Sequence, residues 1–216
     1  MRAISRHFLI TLSGFALVVT FKYVCVCLRY DGRLFWLYSI HPEGTYLPHE
    51  LALSVAISRK GVIGHNGGVP WSIPDDLRRF YRISVGKPVI IGFDTWRHMP
   101  KPLPRRRTIV LAEADKSIDG AFHAHSQEMA LNEAERACQY LVSAEAIVAG
   151  GANVYEQFLP QCTKIYMTEI LFEGPGDTYF PQLLLDEWRV HDESPRRECA
   201  VSGLLYQFKT MYRREK

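Results

Sequence analysis

Four short apolar runs, spaced apart by segments with helical periodicity, limit what this chain can fold into. They are Leu51–Ser58, Pro88–Gly92, Thr108–Ala112 and Ala146–Ala149. A strand that is apolar at nearly every position is one covered on both faces, as in a parallel sheet. Between them, Pro74–Val85 opens on proline and acids and then spaces Leu77, Phe80, Tyr81 and Ser84 along one helix face. A helix start stands at Asp94-Thr95-Trp96, Gln127–Val142 reads as a longer helix, and Asn153–Phe158 as a short one closed by Pro160. After that the pattern changes. Lys164–Ile170, Trp188–Asp192 and Leu204–Tyr212 alternate, and read as antiparallel or edge strands. The expected fold is α/β: a central, mostly parallel twisted sheet with an antiparallel C-terminal hairpin, flanked by about four helices.

The length of 216 residues suits one domain with a real core. The net charge of +3 arises in residues 1–48, where Arg2, Arg6, Lys22, Arg29 and Arg33 face only Asp31 and Glu43. The rest of the chain is balanced, which argues against nucleic acid as a partner. Cys25, Cys27, Cys138, Cys162 and Cys199 form no CxxC and no metal-ligand spacing with histidine, so no metal is expected and a reducing cytoplasm fits. Residues 1–48 do not share the pattern that follows. Phe8–Phe21 is uncharged and preceded by two arginines, like a signal peptide, and it reaches membrane-spanning length only by running to Leu28 across Lys22. This segment is expected to be an apolar, basic extension, either an anchor through residues 8–28 or non-native upstream sequence. The working domain is expected over residues 49–216.

Chemistry concentrates in residues 61–84. Asp76 lies in the first turn of its helix, where the dipole favours a carboxylate, and shares a side with Leu77, Phe80 and position 84. Asp75, Arg78 and Arg79 are expected to point elsewhere. An acid on an apolar face suits a ligand that presents a pair of N–H groups. Gly64-His65-Asn66-Gly67-Gly68 reads as too flexible for scaffold, and with Val69-Pro70-Trp71 as a lid over a site. Trp71 also brings an indole N–H that wants a partner. Gly150-Gly151-Ala152, between a buried strand and a helix, suits an anion cradle, although it is not a full GxGxxG. One of Arg105, Arg106 and Arg107 is placed to clamp a carboxylate as a fork.

Together these residues resemble the dihydrofolate reductases from about Leu51 to the C-terminus. The matches run in order: Ile63-Gly64, Val69-Pro70-Trp71, Asp76, Phe80, Ser84, Pro88–Gly92, Thr95-Trp96, Pro102-Leu103-Pro104, Gly150-Gly151, Tyr155–Pro160 and Gly176–Pro181. The resemblance implies hydride transfer from NADPH to C6 of dihydrofolate, with protonation at N5, by a monomer. In that scheme Asp76 holds the pterin, Thr168 supports it, and Trp71 belongs to the loop that admits and then excludes water. Ala56, Leu77, Phe80 and Met99 would line the folate pocket, and Arg106 would bind the glutamate α-carboxylate. Ile63, Gly64, Thr95, Gly150, Gly151, Ala152 and Tyr155 would contact the dinucleotide, with the Gly150–Gly151 peptide expected to be cis. Two positions depart from the family. Phe93 and Asp94 stand where an arginine commonly grips the 2′-phosphate, and Ala112 and Glu113 where hydroxyls or arginine are frequent. Acids there repel a phosphate but can accept from a 2′-hydroxyl, so tolerance of NADH is expected, with Arg97, His98 or His125 able to compensate. The rival readings are a pyrimidine reductase of riboflavin synthesis and a non-catalytic folate-binding relative.

Overall fold

A computed structural model describes residues 50–99 and 103–214, and before them the backbone of four strands paired antiparallel in chain order. These are Phe8–Leu12 (β1), Phe15–Thr20 (β2), Tyr23–Tyr30 (β3) and Arg33–Ile40 (β4). The remainder of the expected extension lies outside the described residues, as does Pro102. Among the described residues no helix is long and apolar enough to cross a membrane.

From Glu50 the order is β5 (Glu50–Ser58), β6 (Val62–Gly64), α1 (Pro74–Ser84), β7 (Pro88–Gly92), α2 (Phe93–His98), β8 (Arg107–Leu111), β9 (Phe122–Ala124), α3 (Gln127–Leu141) and β10 (Glu145–Val148). There follow α4 (Ala152–Phe158), β11 (Lys164–Ile170), β12 (Thr178–Tyr179), β13 (Trp188–Glu193), β14 (Arg197–Glu198) and β15 (Leu205–Arg213). The main sheet runs β13-β15-β11-β5-β10-β7-β8-β9, with β14 beside β15. Every pairing from β11 to β9 is parallel, and β15 is antiparallel to β11, β13 and β14. The expected α/β class, with its parallel centre and antiparallel C-terminal part, is the observed one.

The uninterrupted apolar runs are the strands with both faces covered. Leu53, Val89, Ile90, Ile91, Ile109, Val110, Ile147 and Val148 have no exposed surface. Helix α3 begins where the Ser126 side chain accepts from the Met129 N–H and ends where Val142 turns into the left-handed region, one residue before the expected stop. Of the two expected alternatives for Lys164–Ile170, antiparallel or edge, the first holds: β11 lies inside the sheet, antiparallel to β15 and parallel to β5. It alternates because its two faces differ in chemistry rather than in exposure. Ile165 and Met167 join the large core, whereas Lys164, Tyr166 and Thr168 carry polar groups on the opposite face. The short strands β6, β9, β12 and β14 had no periodicity long enough to be seen.

Candidate active site

The site gathers at the C-terminal end of the parallel strands, the usual position for ligands in such sheets. Proline near its N-terminus starts α1 and puts Asp75 and Asp76 in the first turn. The two neighbours then diverge. Asp75 accepts from the Tyr206 hydroxyl and from Arg78, and these bonds hold its carboxyl below the ordinary carboxylate range. Asp76 is half-buried and meets Thr168, which is 1% exposed and stands opposite Ala56 of β5 and Phe208 of β15. Burial pushes the Asp76 carboxyl up; the Thr168 hydrogen bond and the Arg79 charge oppose this without cancelling it. Asp76 is therefore the poised acid of the pair.

Around it the expected pocket residues fall on neighbouring elements. Leu77 is 44% exposed, an apolar side chain open to the outside just after Asp76. Phe80 packs on Ala52, Val89 and Ile147, while Ala56 and Trp71 pack on the cluster of Ile73, Ile170, Cys199 and Tyr206. Met99, at the end of α2, packs against Ile91, Trp96 and Val110. The Trp71 ring meets Phe172 edge-on at 5.2 Å, and its buried indole N–H has no acceptor among the described residues. Arg106 is fastened by three bonds: to Ser84 Oγ at 2.9 Å, Pro104 O at 2.7 Å and Tyr81 O at 2.6 Å. A guanidinium has five N–H donors, so this one is both oriented and still able to grip a carboxylate.

Across the cleft, the Gly150–Gly151 peptide is cis, as expected. A side chain at Gly150 would meet the Tyr155 hydroxyl at 2.9 Å, and one at Gly92 would meet Val154 at 3.0 Å. The backbones of β7 and β10 thus meet the start of α4 at a closeness that only glycine permits, with Thr95 Oγ1 3.0 Å from where a Gly151 side chain would begin. Such a bare-backbone cradle fits the pyrophosphate of a dinucleotide. With seven residues, α4 adds little dipole, so the glycines carry the site. Ala152 is half-buried at the first position of α4. Tyr155, also on α4, donates to Ser54 O at 2.7 Å; burial and the negative charge of Asp76 both push its phenol up.

The glycine-rich loop is more ordered than its composition suggests. His65 and Gly68 exchange backbone bonds at 2.8 and 3.1 Å around Asn66 and Gly67, both with positive φ, which is the two-residue hairpin turn such a pair favours. Asp177 accepts from the Asn66 N–H at 2.7 Å, and β6, containing Ile63 and Gly64, pairs with β12. The expectation of a loop too flexible for scaffold is corrected to this extent: the turn is pinned by backbone bonds, although Asn66–Val69 is exposed.

At the ends of β7, β8 and β9, Gly92 lies beside Leu111 and Leu111 beside Ala124. The residues that follow, Phe93-Asp94, Ala112-Glu113 and His125, therefore share one rim. Asp94, Glu113 and His125 are exposed there. Arg97 reaches Asp94 at 3.5 Å and His98 contacts Asp94 O at 2.7 Å, so both are already engaged with this acid's residue. Arg79 is the residue the sequence reading misplaced. It does not point away from Asp76 but bridges β11 and β15, donating to Met167 O and Lys209 O. Its spacing of three from Asp76 was the available signal, outweighed by its charge.

A twisted parallel sheet with a bare-glycine cradle facing a half-buried acid defines a dinucleotide-dependent reductase class. Residues 50–213 match the family described as dihydrofolate reductase, and the chain belongs to that family. The dihydrofolate reductase of Haemophilus influenzae is 36% identical over 155 residues, covering 68% of this chain and 93% of the relative. That of Neisseria gonorrhoeae is 35% identical over 161 residues, covering 74% and 95%. Among solved structures, dihydrofolate reductase from Enterococcus faecalis, complexed with NADP(H) and RAB-propyl, is 29% identical with a TM-score of 0.70, covering 79% of this chain and 99% of that one.

Proposed function

We propose that this chain reduces 7,8-dihydrofolate to 5,6,7,8-tetrahydrofolate with NADPH as reductant. The observation that carries the reading is Asp76: a carboxyl raised by burial, backed by Thr168, and near enough to Tyr155, which abuts the Gly150 backbone, to push that phenol up. With its pyrophosphate held in the glycine cradle, a bound NADPH would supply the hydride for pterin C6. Asp76 accepts from the pterin N3–H and 2-amino group, two parallel bonds that orient the ring. Thr168 donates to Asp76 from behind and fixes its plane. A water admitted at the Val69–Trp71 loop gives its proton to N5, and closure of that loop then excludes bulk solvent. Leu77, Phe80, Ala56 and Met99 supply the apolar walls, and Arg106 holds the glutamate α-carboxylate. Ile63, Gly64, Thr95, Gly150, Gly151, Ala152 and Tyr155 hold the dinucleotide. With unpaired Cys138, Cys162 and Cys199 all buried, a reducing cytoplasm is the compartment this domain suits.

The test is loss of nicotinamide absorbance with dihydrofolate. Turnover is expected; binding without turnover would favour the non-catalytic relative, and turnover only with a phosphorylated aminopyrimidine would favour the riboflavin-pathway reductase. The rim with Asp94 and Glu113 supports a weak preference between cofactors. We expect NADPH to be favoured over NADH by less than about a thousandfold in kcat/KM, roughly 4 kcal/mol; a larger ratio would refute the role given to these acids.

A further inference from the structure

We propose that Arg79 is a positioning residue for Asp76, acting through the Thr168 hydroxyl and through its own charge, so that the acid is presented to ligand as an oriented carboxylate. This rests on the reading of Asp76 as the pterin anchor.

Arg79 follows Asp76 by one turn of α1 and is held with unusual completeness. One terminal nitrogen donates to Met167 O at 2.7 Å and the other to Lys209 O at 2.9 Å, so the fork bridges β11 and β15. The guanidinium carbon lies 4.7 Å from the centre of the Phe208 ring and 5.8 Å from that of Tyr166. The nitrogen bonded to Met167 also stands 3.5 Å from Thr168 Oγ1. An N–H directed at that oxygen occupies its lone-pair side and leaves the hydroxyl proton to point at Asp76. Arg79 behind Thr168 thus favours the hydroxyl setting that faces Asp76.

The charges around the pair are few. Asp76 faces Arg79 from its own helix, Thr168 from β11 and Tyr155 from α4. Arg79 in turn feels Asp76, Tyr166, Asp192 of β13 and Arg82. Lys209, whose carbonyl it binds, has its ammonium taken by Glu169 and Glu193 at 3.3 Å each. Burial alone drives Asp76 towards its neutral form, and the positive charge of Arg79 opposes that drive.

Stapling α1 to the sheet would account for the two carbonyl bonds without any bearing on Asp76, and three variants separate the two roles. Arg79→Gln keeps N–H donors without charge, Arg79→Lys keeps charge without the fork, and Arg79→Met keeps neither. The readout is the Asp76 carboxyl itself, followed by carbon-13 NMR against pH in the ligand-free chain. In Arg79→Met and Arg79→Gln its midpoint should rise by about one pH unit, and in Arg79→Lys by much less. The Asp76-linked midpoint in the pH dependence of kcat/KM for dihydrofolate should move upward with it. A midpoint unmoved in a folded neutral variant would overturn the inference, and if the Met variant does not fold, the Gln variant decides. Absence of dihydrofolate turnover in the unmodified chain would instead sink the functional reading, leaving the titration to judge Arg79 on its own.

Discussion

Glu145 and Asp76 are carboxylates withdrawn from water at opposite ends of one sheet, and they show how partners decide what burial does to an acid. Glu145 opens β10 at the N-terminal edge, 6% exposed. Burial pushes its pKa up, but hydrogen bonds from Lys87 and Lys164 overcome this and leave it below the ordinary value. Lys164 Nζ lies 3.0 Å and the Tyr166 hydroxyl 3.0 Å from one of its oxygens, and Lys87 binds the other. Asp76, at the C-terminal edge, has one hydroxyl and the nearby charge of Arg79, and burial prevails. The first arrangement is closed and consumes the acid's acceptor capacity in the protein. The second leaves that capacity for a ligand.

The sharpest break between them is in activity. Asp76→Asn should lower kcat/KM for dihydrofolate by about a thousandfold, because an amide cannot accept two parallel N–H bonds. Its melting temperature should stay level or rise near neutral pH. The sign follows from a raised pKa: the charged form is penalised in the fold, so removing it relieves a cost that is full above the folded midpoint and absent only below the unfolded value near 3.8. Steady-state kinetics with thermal melts at two pH values would check both halves, and a variant with unimpaired activity would end the comparison.

Glu145→Gln should do the reverse. It leaves Lys87 and Lys164, with side chains 24% and 12% exposed, facing a neutral amide. The expected loss is about 3 kcal/mol, the scale for breaking a buried pair, or roughly 6–12 °C in melting temperature for a domain of this size. Activity per folded molecule should stay within about twofold, since no cleft residue touches Glu145. A marked fall in kcat/KM with little change in melting would reverse the assignment of the two ends.

The difference between these acids also explains what was legible in the sequence. The parallel strands were plain, because burial on both faces leaves an unbroken apolar run such as Pro88–Gly92 or Ala146–Ala149. The placement of Asp76 followed from helix spacing against Phe80 and Ser84, of which Ser84 is buried, whereas Leu77, expected on the same side, is 44% exposed. Glu145 and Arg79 were not legible, since each depends on partners brought by distant strands: Lys164 and Tyr166 for one, Met167 and Lys209 for the other. The alternation of β11, an interior strand antiparallel to β15, has a related cause. Alternation normally signals one wet face, but here the polar face is spent on the Glu145 cluster and on Thr168.

The depressed pKa of Glu145 makes a pH prediction of smaller size. A lowered folded value means its stabilising contribution is present above the unfolded value near 4.5 and is lost as pH falls through the folded one. Melting of the unmodified chain should therefore decline below about pH 4.5, and more steeply than that of Glu145→Gln, which has already lost the interaction. Parallel declines in the two would show that other carboxylates govern acid unfolding.

The smallest effect belongs to Asp75, and it sharpens the contrast because the sequence sets it beside Asp76. Its acceptor capacity is taken by Tyr206 and Arg78, as that of Glu145 is taken by its lysines, and its pKa is lowered. Yet its side chain is 38% exposed, so solvent replaces lost partners at little cost. Asp75→Asn should accordingly change kcat/KM by less than about threefold, and the residual effect should appear in KM rather than kcat if loosening Tyr206 disturbs the Trp71 wall. Loss of activity on the scale of Asp76→Asn would mean that the helix face, rather than the individual carboxylate, carries the chemistry.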